Sequence, residues 1–170
     1  LNLKIEIMKK ILFLLLISTT SFGQVAIKYY NDGVDKCDVK DYYGAILDFT
    51  KFIELNPNYA SAYLNRGTAK MSLTDYNGAI IDYNKAIELE PNNADGYVNR
   101  GNAKSYLKDY KGAIANYNKA IELRYNFADA FFNRALAKDN IGDTNGACSD
   151  LIKATRFGNL EAAELIKNCK

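Results

Sequence analysis

A period of 34 residues constrains this sequence more than any other feature. Tyr63-Leu64-Asn65-Arg66-Gly67 returns as Tyr97-Val98-Asn99-Arg100-Gly101 and again as Phe131-Phe132-Asn133-Arg134-Ala135, each time 34 residues on. A second block, Asp75-Tyr76-Asn77-Gly78-Ala79-Ile80, returns as Asp109-Tyr110-Lys111-Gly112-Ala113-Ile114. It occurs earlier as Asp41-Tyr42-Tyr43-Gly44-Ala45-Ile46 and later, degraded, as Asp143-Thr144-Asn145-Gly146-Ala147-Cys148. A third block, Lys85-Ala86-Ile87-Glu88-Leu89, matches Lys119-Ala120-Ile121-Glu122-Leu123. The units fall at 26–59, 60–93, 94–127 and 128–161. One unit of this size cannot bury its apolar face alone, so copies must stack to make a continuous core.

Inside a unit the spacing is helical. Ala62, Leu64, Ala69 and Leu73 mark one segment; Tyr76, Ala79, Ile80, Tyr83, Ala86 and Ile87 mark the next. Asp75, Asp109 and Asp143 stand where a carboxylate can accept from the free N–H groups that open the second helix. Proline is confined to Pro57 and Pro91, which leaves long helices permitted almost everywhere. The tail, with Ala162, Leu165 and Ile166 on one side, reads as a capping helix over 162–170 that covers the last open face.

Composition narrows the function. The chain has no His, so the commonest neutral-pH base and metal ligand is missing. Cys37, Cys148 and Cys169 lack the close paired spacing of a metal knuckle or a redox motif. No catalytic residue, metal site or cofactor is expected. The formal charge of +2 arises in the first 23 residues, where Lys4, Lys9 and Lys10 face only Glu6; the remainder is balanced. Without a basic stripe to release counterions, nucleic acid is not an expected partner.

The N-terminus has the form of an export signal over 1–23. Met8 is the expected natural start, Lys9 and Lys10 form a basic region, and Ile11 to Ile17 form a short apolar one. Ser21-Phe22-Gly23 then places small side chains at the two positions a signal peptidase reads. Seven apolar residues fall well short of the ~20 that span a bilayer, so stable membrane insertion is not expected. The expected location is periplasmic, extracellular or at the cell surface.

The repeated blocks resemble the tetratricopeptide-repeat (TPR) family across nearly the whole mature chain. Its small-residue positions are filled by Gly67, Ala79 and Ala86, by Gly101, Ala113 and Ala120, and by Ala135, Ala147 and Ala154. Its terminal proline appears as Pro57 and Pro91. The family's tryptophan position holds Tyr29, Tyr63, Tyr97 and Phe131, and Arg66, Arg100 and Arg134 replace its usual leucine. Phe52 occupies a place usually held by alanine. The resemblance implies an all-α, right-handed α–α solenoid of four helix–turn–helix repeats plus a C-terminal capping helix.

It also implies a concave groove lined by the first helix of each repeat. The sixth position of the repeat, Asn31, Asn65, Asn99 and Asn133, would point into it. An amide carries both donors and an acceptor, which suits it to an extended peptide backbone. A similar row of asparagines holds peptide main chain in the O-linked N-acetylglucosamine transferases. Tyr30, Leu64, Met71, Val98, Tyr106 and Phe132 would add aromatic and apolar pockets. A chaperone carboxylate clamp is not expected, because the clamp positions Tyr30 and Val34, Leu64 and Thr68, Val98 and Asn102 hold no cation. Family packing would set Arg66 and Arg100 beside Asp48 and Asp82 of the preceding repeat, leaving Arg134 opposite Asn116 without a carboxylate.

The ending G-A-C-x-D-L-x-K-A, followed by a terminal cysteine, resembles that of many exported bacterial TPR proteins and implies a Cys148–Cys169 disulfide. Cys37 would be left over, as a free thiol in the groove or a link between chains. The expected function is a non-catalytic scaffold that binds a peptide or protein segment in the groove. The alternative is a structural component of the envelope that assembles with itself.

Overall fold

A computed structural model describes residues 23–169, and the expected export signal, Gly23 excepted, lies outside them. Those residues are helical, and they fall into two compact units, one ending at Asn58 and the other beginning at Tyr59. The first unit is a single hairpin, α1 (23–38) and α2 (Tyr42–Leu55). The second holds α3 (Ala60–Ser72), α4 (Tyr76–Leu89), α5 (Ala94–Tyr106), α6 (Tyr110–Leu123), α7 (Ala128–Asn140), α8 (Thr144–Arg156) and α9 (Leu160–Leu165). A 3-10 turn, Ile166–Asn168, follows α9.

One capping device starts every second helix. Asp41, Asp75, Asp109 and Asp143 each accept the N–H of the glycine three residues on, at 3.0, 2.9, 2.9 and 2.9 Å. The carboxylate folds back so closely that a Cβ on Gly78 would stand 2.0 Å from Asp75 Oδ2, which explains the invariant Asp-x-x-Gly spacing. The turn before each cap needs one residue with positive φ: Lys40 (62°), Thr74 (61°), Lys108 (62°) or Gly142 (84°). Only Gly142 adopts it without a Cβ penalty.

Packing within the second unit is alternating and nearest-neighbour. The hairpins α3–α4, α5–α6 and α7–α8 each close on themselves, and α4 packs on α5, α6 on α7 and α8 on α9. The interfaces are built from alanine: Ala69, Ala79, Ala103, Ala113, Ala120, Ala137 and Ala154 are fully buried. Larger rings then fill the space inside each hairpin. Tyr83 and Tyr117 are 1 % exposed, and each occupies room left by the missing Cβ of Gly67 or Gly101. Burying such a ring contributes roughly 1.5–3 kcal/mol, more than any alanine can.

The first unit follows the same plan with different filling. Phe49 is fully buried against Gly33, and Phe52 is buried beside it. Tyr30 lies edge-on to Phe49 at 5.8 Å and tilted on Phe52 at 5.1 Å. The bulky Phe52 is thus matched by a second ring rather than by a loose contact.

At the C-terminal end of the second unit, α9 packs on α8 and closes its stack. Asn159 caps it by accepting the N–H of Ala162 at 2.8 Å, and Ala162 is fully buried against α8. A disulfide joins Cys148 on α8 to Cys169, 21 residues later, with the Cα atoms 5.7 Å apart.

Candidate functional site

The first helices of the second unit, α3, α5 and α7, touch in order and present one face. Two adjoining recesses of about 450 Å³ each open on it. The one nearer the start of the helices lies between α5, α7 and α9, with Val98 and Phe132 as apolar wall and Asp95, Asn99, Asp129 and Glu161 around it. The other lies toward their C-terminal ends, walled by Met71, Tyr106, Tyr110, Tyr117 and Leu136. Asn102 and Asn133 belong to both. The recesses therefore form one groove with an amide pair at its middle.

Those amides are held. Asn102 Oδ1 accepts from the buried Tyr117 hydroxyl at 2.8 Å and from Asn133 Nδ2 at 3.0 Å. One carbonyl oxygen thus ties α5 to α6 and to α7. Burial raises the Tyr117 and Tyr83 phenols, Tyr83 to about 12, so both stay protonated at neutral pH and Tyr117 keeps its proton for Asn102. Asn99 carries no comparable internal bond: its amide is half-buried in the wall of the groove with no side-chain partner among the described residues.

The residues expected to line the groove divide as follows. Asn99, Asn133, Val98, Phe132, Met71 and Tyr106 lie on it, although Val98 is 6 % exposed and mostly core. Tyr106 is exposed and stacks on Tyr76, rings 5.0 Å apart and 3° from parallel. Leu64 is half-buried in the cluster of Ala79, Tyr83 and Ala103. Asn65 is half-buried on α3. In the first unit Asn31 is exposed, while Tyr30 faces the rings of its own hairpin.

Asp129, Glu161, Tyr110 and Leu136 were not singled out as groove residues by the repeat, and Asn102 was placed there only as a clamp position without a cation. Position 102 corresponds to Val34, Thr68 and Leu136 in the other repeats, so it shows no ladder in the sequence.

The arginines need a correction. They were expected beside carboxylates of the preceding repeat, but their main partners come from the second helix of their own, 16 residues on. Arg66 meets Asp82 through Nη2 and Nε at 2.6 and 3.0 Å, and Arg134 meets Asp150 at 2.6 and 2.8 Å. Arg100 meets Asn116 at 2.7 Å, so Arg100, not Arg134, lacks the carboxylate. Within a hairpin the seventh position of the first helix faces the second helix directly. Only the far nitrogen reaches backwards, from Arg100 to Asn84 at 2.7 Å and from Arg134 to Asn118 at 2.6 Å. Each guanidinium also lies over the ring three residues before it, Tyr63, Tyr97 or Phe131, at 5.3–5.6 Å.

Lysines complete these clusters and so turn away from the groove. Lys70 pairs with Asp82 and Lys138 with Asp150, both at 2.8 Å; Lys104, facing Asn116 instead of a carboxylate, pairs with Asp109 at 3.2 Å. Burial works to raise the Asp150 carboxyl, but Arg134 and Lys138 outweigh it and hold it below the usual range. Among the described residues no His, Cys, Asp or Glu cluster could hold a metal ion, and no helix is long and apolar enough to cross a membrane.

A family model described as "TPR repeat" matches residues 69–105 and 106–142. No curated protein matches the chain. Among solved structures, that of MamA protein is 27 % identical, with a TM-score of 0.77 over 85 % of this chain and 80 % of that one. The TPR domain of Arabidopsis OM64 is 26 % identical, with a TM-score of 0.66 over 68 % of this chain and 96 % of that one. The first TPR domain of Spaghetti (RPAP3), solved with the HSP90 peptide SRMEEVD, shares the fold at 24 % identity and a TM-score of 0.68, over 70 % and 94 %.

Proposed function

We propose, from the premise that this chain is a tetratricopeptide-repeat protein, that it is a non-catalytic scaffold binding an extended peptide or protein segment in the groove of α3, α5 and α7. The groove itself carries this reading. It has an apolar wall in each recess, Val98 and Phe132 in one and Met71, Tyr106 and Leu136 in the other, and amide donors and acceptors at its centre, the chemistry that holds a peptide main chain without demanding one sequence. A carboxylate clamp does not fit, because Lys70, Lys104 and Lys138 are committed to Asp82, Asp109 and Asp150 and no cation lines either recess. An acidic tail such as SRMEEVD is therefore a poor candidate ligand.

The export signal expected from the sequence and the Cys148–Cys169 bridge together favour work outside the cytoplasm, where disulfides persist. The test is affinity capture from envelope extract with the full chain, beside an Asn99→Ala/Asn133→Ala variant whose thermal melt shows it folded. A partner kept by the wild type and lost by the variant supports the reading. Equal capture by both sinks the role of the amides.

Self-assembly is the second reading, favoured by one observation in the first unit. Val39, Tyr43 and Leu47 are 75, 74 and 68 % exposed, with Cys37 close by in sequence. A mass that rises with protein concentration, and falls back in a Tyr43→Ser/Leu47→Ser variant, would favour it.

A further inference from the structure

We infer that the recess beside the cap takes a basic segment, with a lysine or arginine side chain set between Asp129 and Glu161. This rests on the peptide-groove reading and deepens it. The charged side chains that line the recess, Asp95, Asp129 and Glu161, are all acidic. Asp95 is answered by Arg124, which holds it with two bonds of 2.8 and 3.1 Å. Asp129, in the first turn of α7, accepts from the neutral amide of Asn159, at 3.1 Å, and makes no ion pair among the described residues. Glu161, in the first turn of α9, is exposed and has no ion pair among the described residues. Two carboxylates are thus left without a cation, beside the half-buried ring of Phe132. A long alkyl stem ending in a cation matches that pairing of apolar wall and charged rim.

A second, independent observation sets the backbone's place. Asn102 Oδ1 is saturated by Tyr117 and Asn133, which fixes both amides. What they still offer is the Nδ2 donor of Asn102 and the Oδ1 acceptor of Asn133. These match the carbonyl and N–H of one extended chain. Main chain on the amides and a basic side chain toward α9 satisfy every polar group named here.

The experiment uses the full chain and three pools of short soluble peptides, randomised except for a fixed central Lys, Leu or Glu. The Lys pool is expected to bind about 5-fold more tightly than the Leu pool, as two partly exposed ion pairs allow, with the Glu pool weakest. The preference should fade with added salt. In a folded Asp129→Asn/Glu161→Gln variant, Lys and Leu pools should bind alike. Equal binding of all pools by the wild type, or a Lys preference that survives in the variant, overturns the basic-segment inference and leaves the groove reading standing. No binding of any pool overturns both.

Discussion

A Cβ built on Gly101 would lie 2.6 Å from Cε1 of Tyr117, so the glycine of one helix is the space taken by the ring of the next. The pair recurs as Gly67 with Tyr83 and as Gly33 with Phe49, at 2.6 and 2.8 Å. In the fourth repeat both members change: Ala135 takes the small position and Leu151 the large one, and both remain buried.

Gly101→Ala should therefore destabilise the protein by about 1–3 kcal/mol from overpacking, although alanine is the better helix former by about 1 kcal/mol. Adding Tyr117→Leu should recover part of the loss by restoring the fourth repeat's combination. Urea unfolding of both single variants and the double gives the coupling. Strict additivity would contradict the pairing.

Asn116→Asp should stabilise the fold, by no more than about 1 kcal/mol: Arg100, a partly buried guanidinium held only by amide oxygens, gains a carboxylate, and this outweighs the loss of the 2.6 Å bond that Asn116 Nδ2 donates to the Gly112 carbonyl. It would reproduce the ion pairs of Arg66–Asp82 and Arg134–Asp150. Thermal melting at neutral pH checks it. Since the new carboxylate gains a cation, its folded pKa should be depressed, so the gain should vanish as pH falls through that value. A variant no more stable than the wild type would show that the two asparagines already satisfy Arg100.

The fold was legible because each repeat writes the same instructions, the Asp-x-x-Gly cap and the alanines at the crossings, and the last three add the aromatic three residues before arginine. The arginine pairing was misplaced by one repeat. A period fixes which positions are equivalent, but not whether a long side chain reaches its own hairpin or the previous one. The groove was half legible. Asn99 and Asn133 stand on it as part of a repeating row, whereas Asn102 has no counterpart elsewhere and owes its place to the Tyr117 hydroxyl. Asp129 and Glu161 share a recess in which α9 starts early by the 34-residue count, because α8 and the turn after it are each one residue shorter than in the preceding repeat.

Alkaline pH should weaken the fold through Tyr83. Its phenol, ordinarily near 10.0, is pushed up to about 12 by burial. The unfolded tyrosine ionises first, so unfolding releases a proton and stability falls as pH climbs from 10 toward 12. Melting temperatures across that range should drop less steeply in Tyr83→Phe. An unchanged slope would mean that other groups govern the alkaline limb.

Reducing the Cys148–Cys169 bond, or replacing Cys169 with Ser, should cost about 3 kcal/mol for a loop of 21 residues. Hydrogen exchange should quicken first in α9, whose buried contacts with α8 centre on Ala162. Uniform loss of protection across all helices would contradict a cap stapled locally.

The central claim is that a partner segment lies in the groove, and photo-crosslinking tests it most directly. A photoreactive phenylalanine analogue is placed at Phe132, on the groove, or at Lys111, exposed on the outer side of α6. Both proteins are exposed to envelope extract and irradiated. A single partner peptide bonded at position 132 and absent at 111 is the predicted result. Crosslinks at 111 with none at 132 would place the binding surface elsewhere and contradict the account.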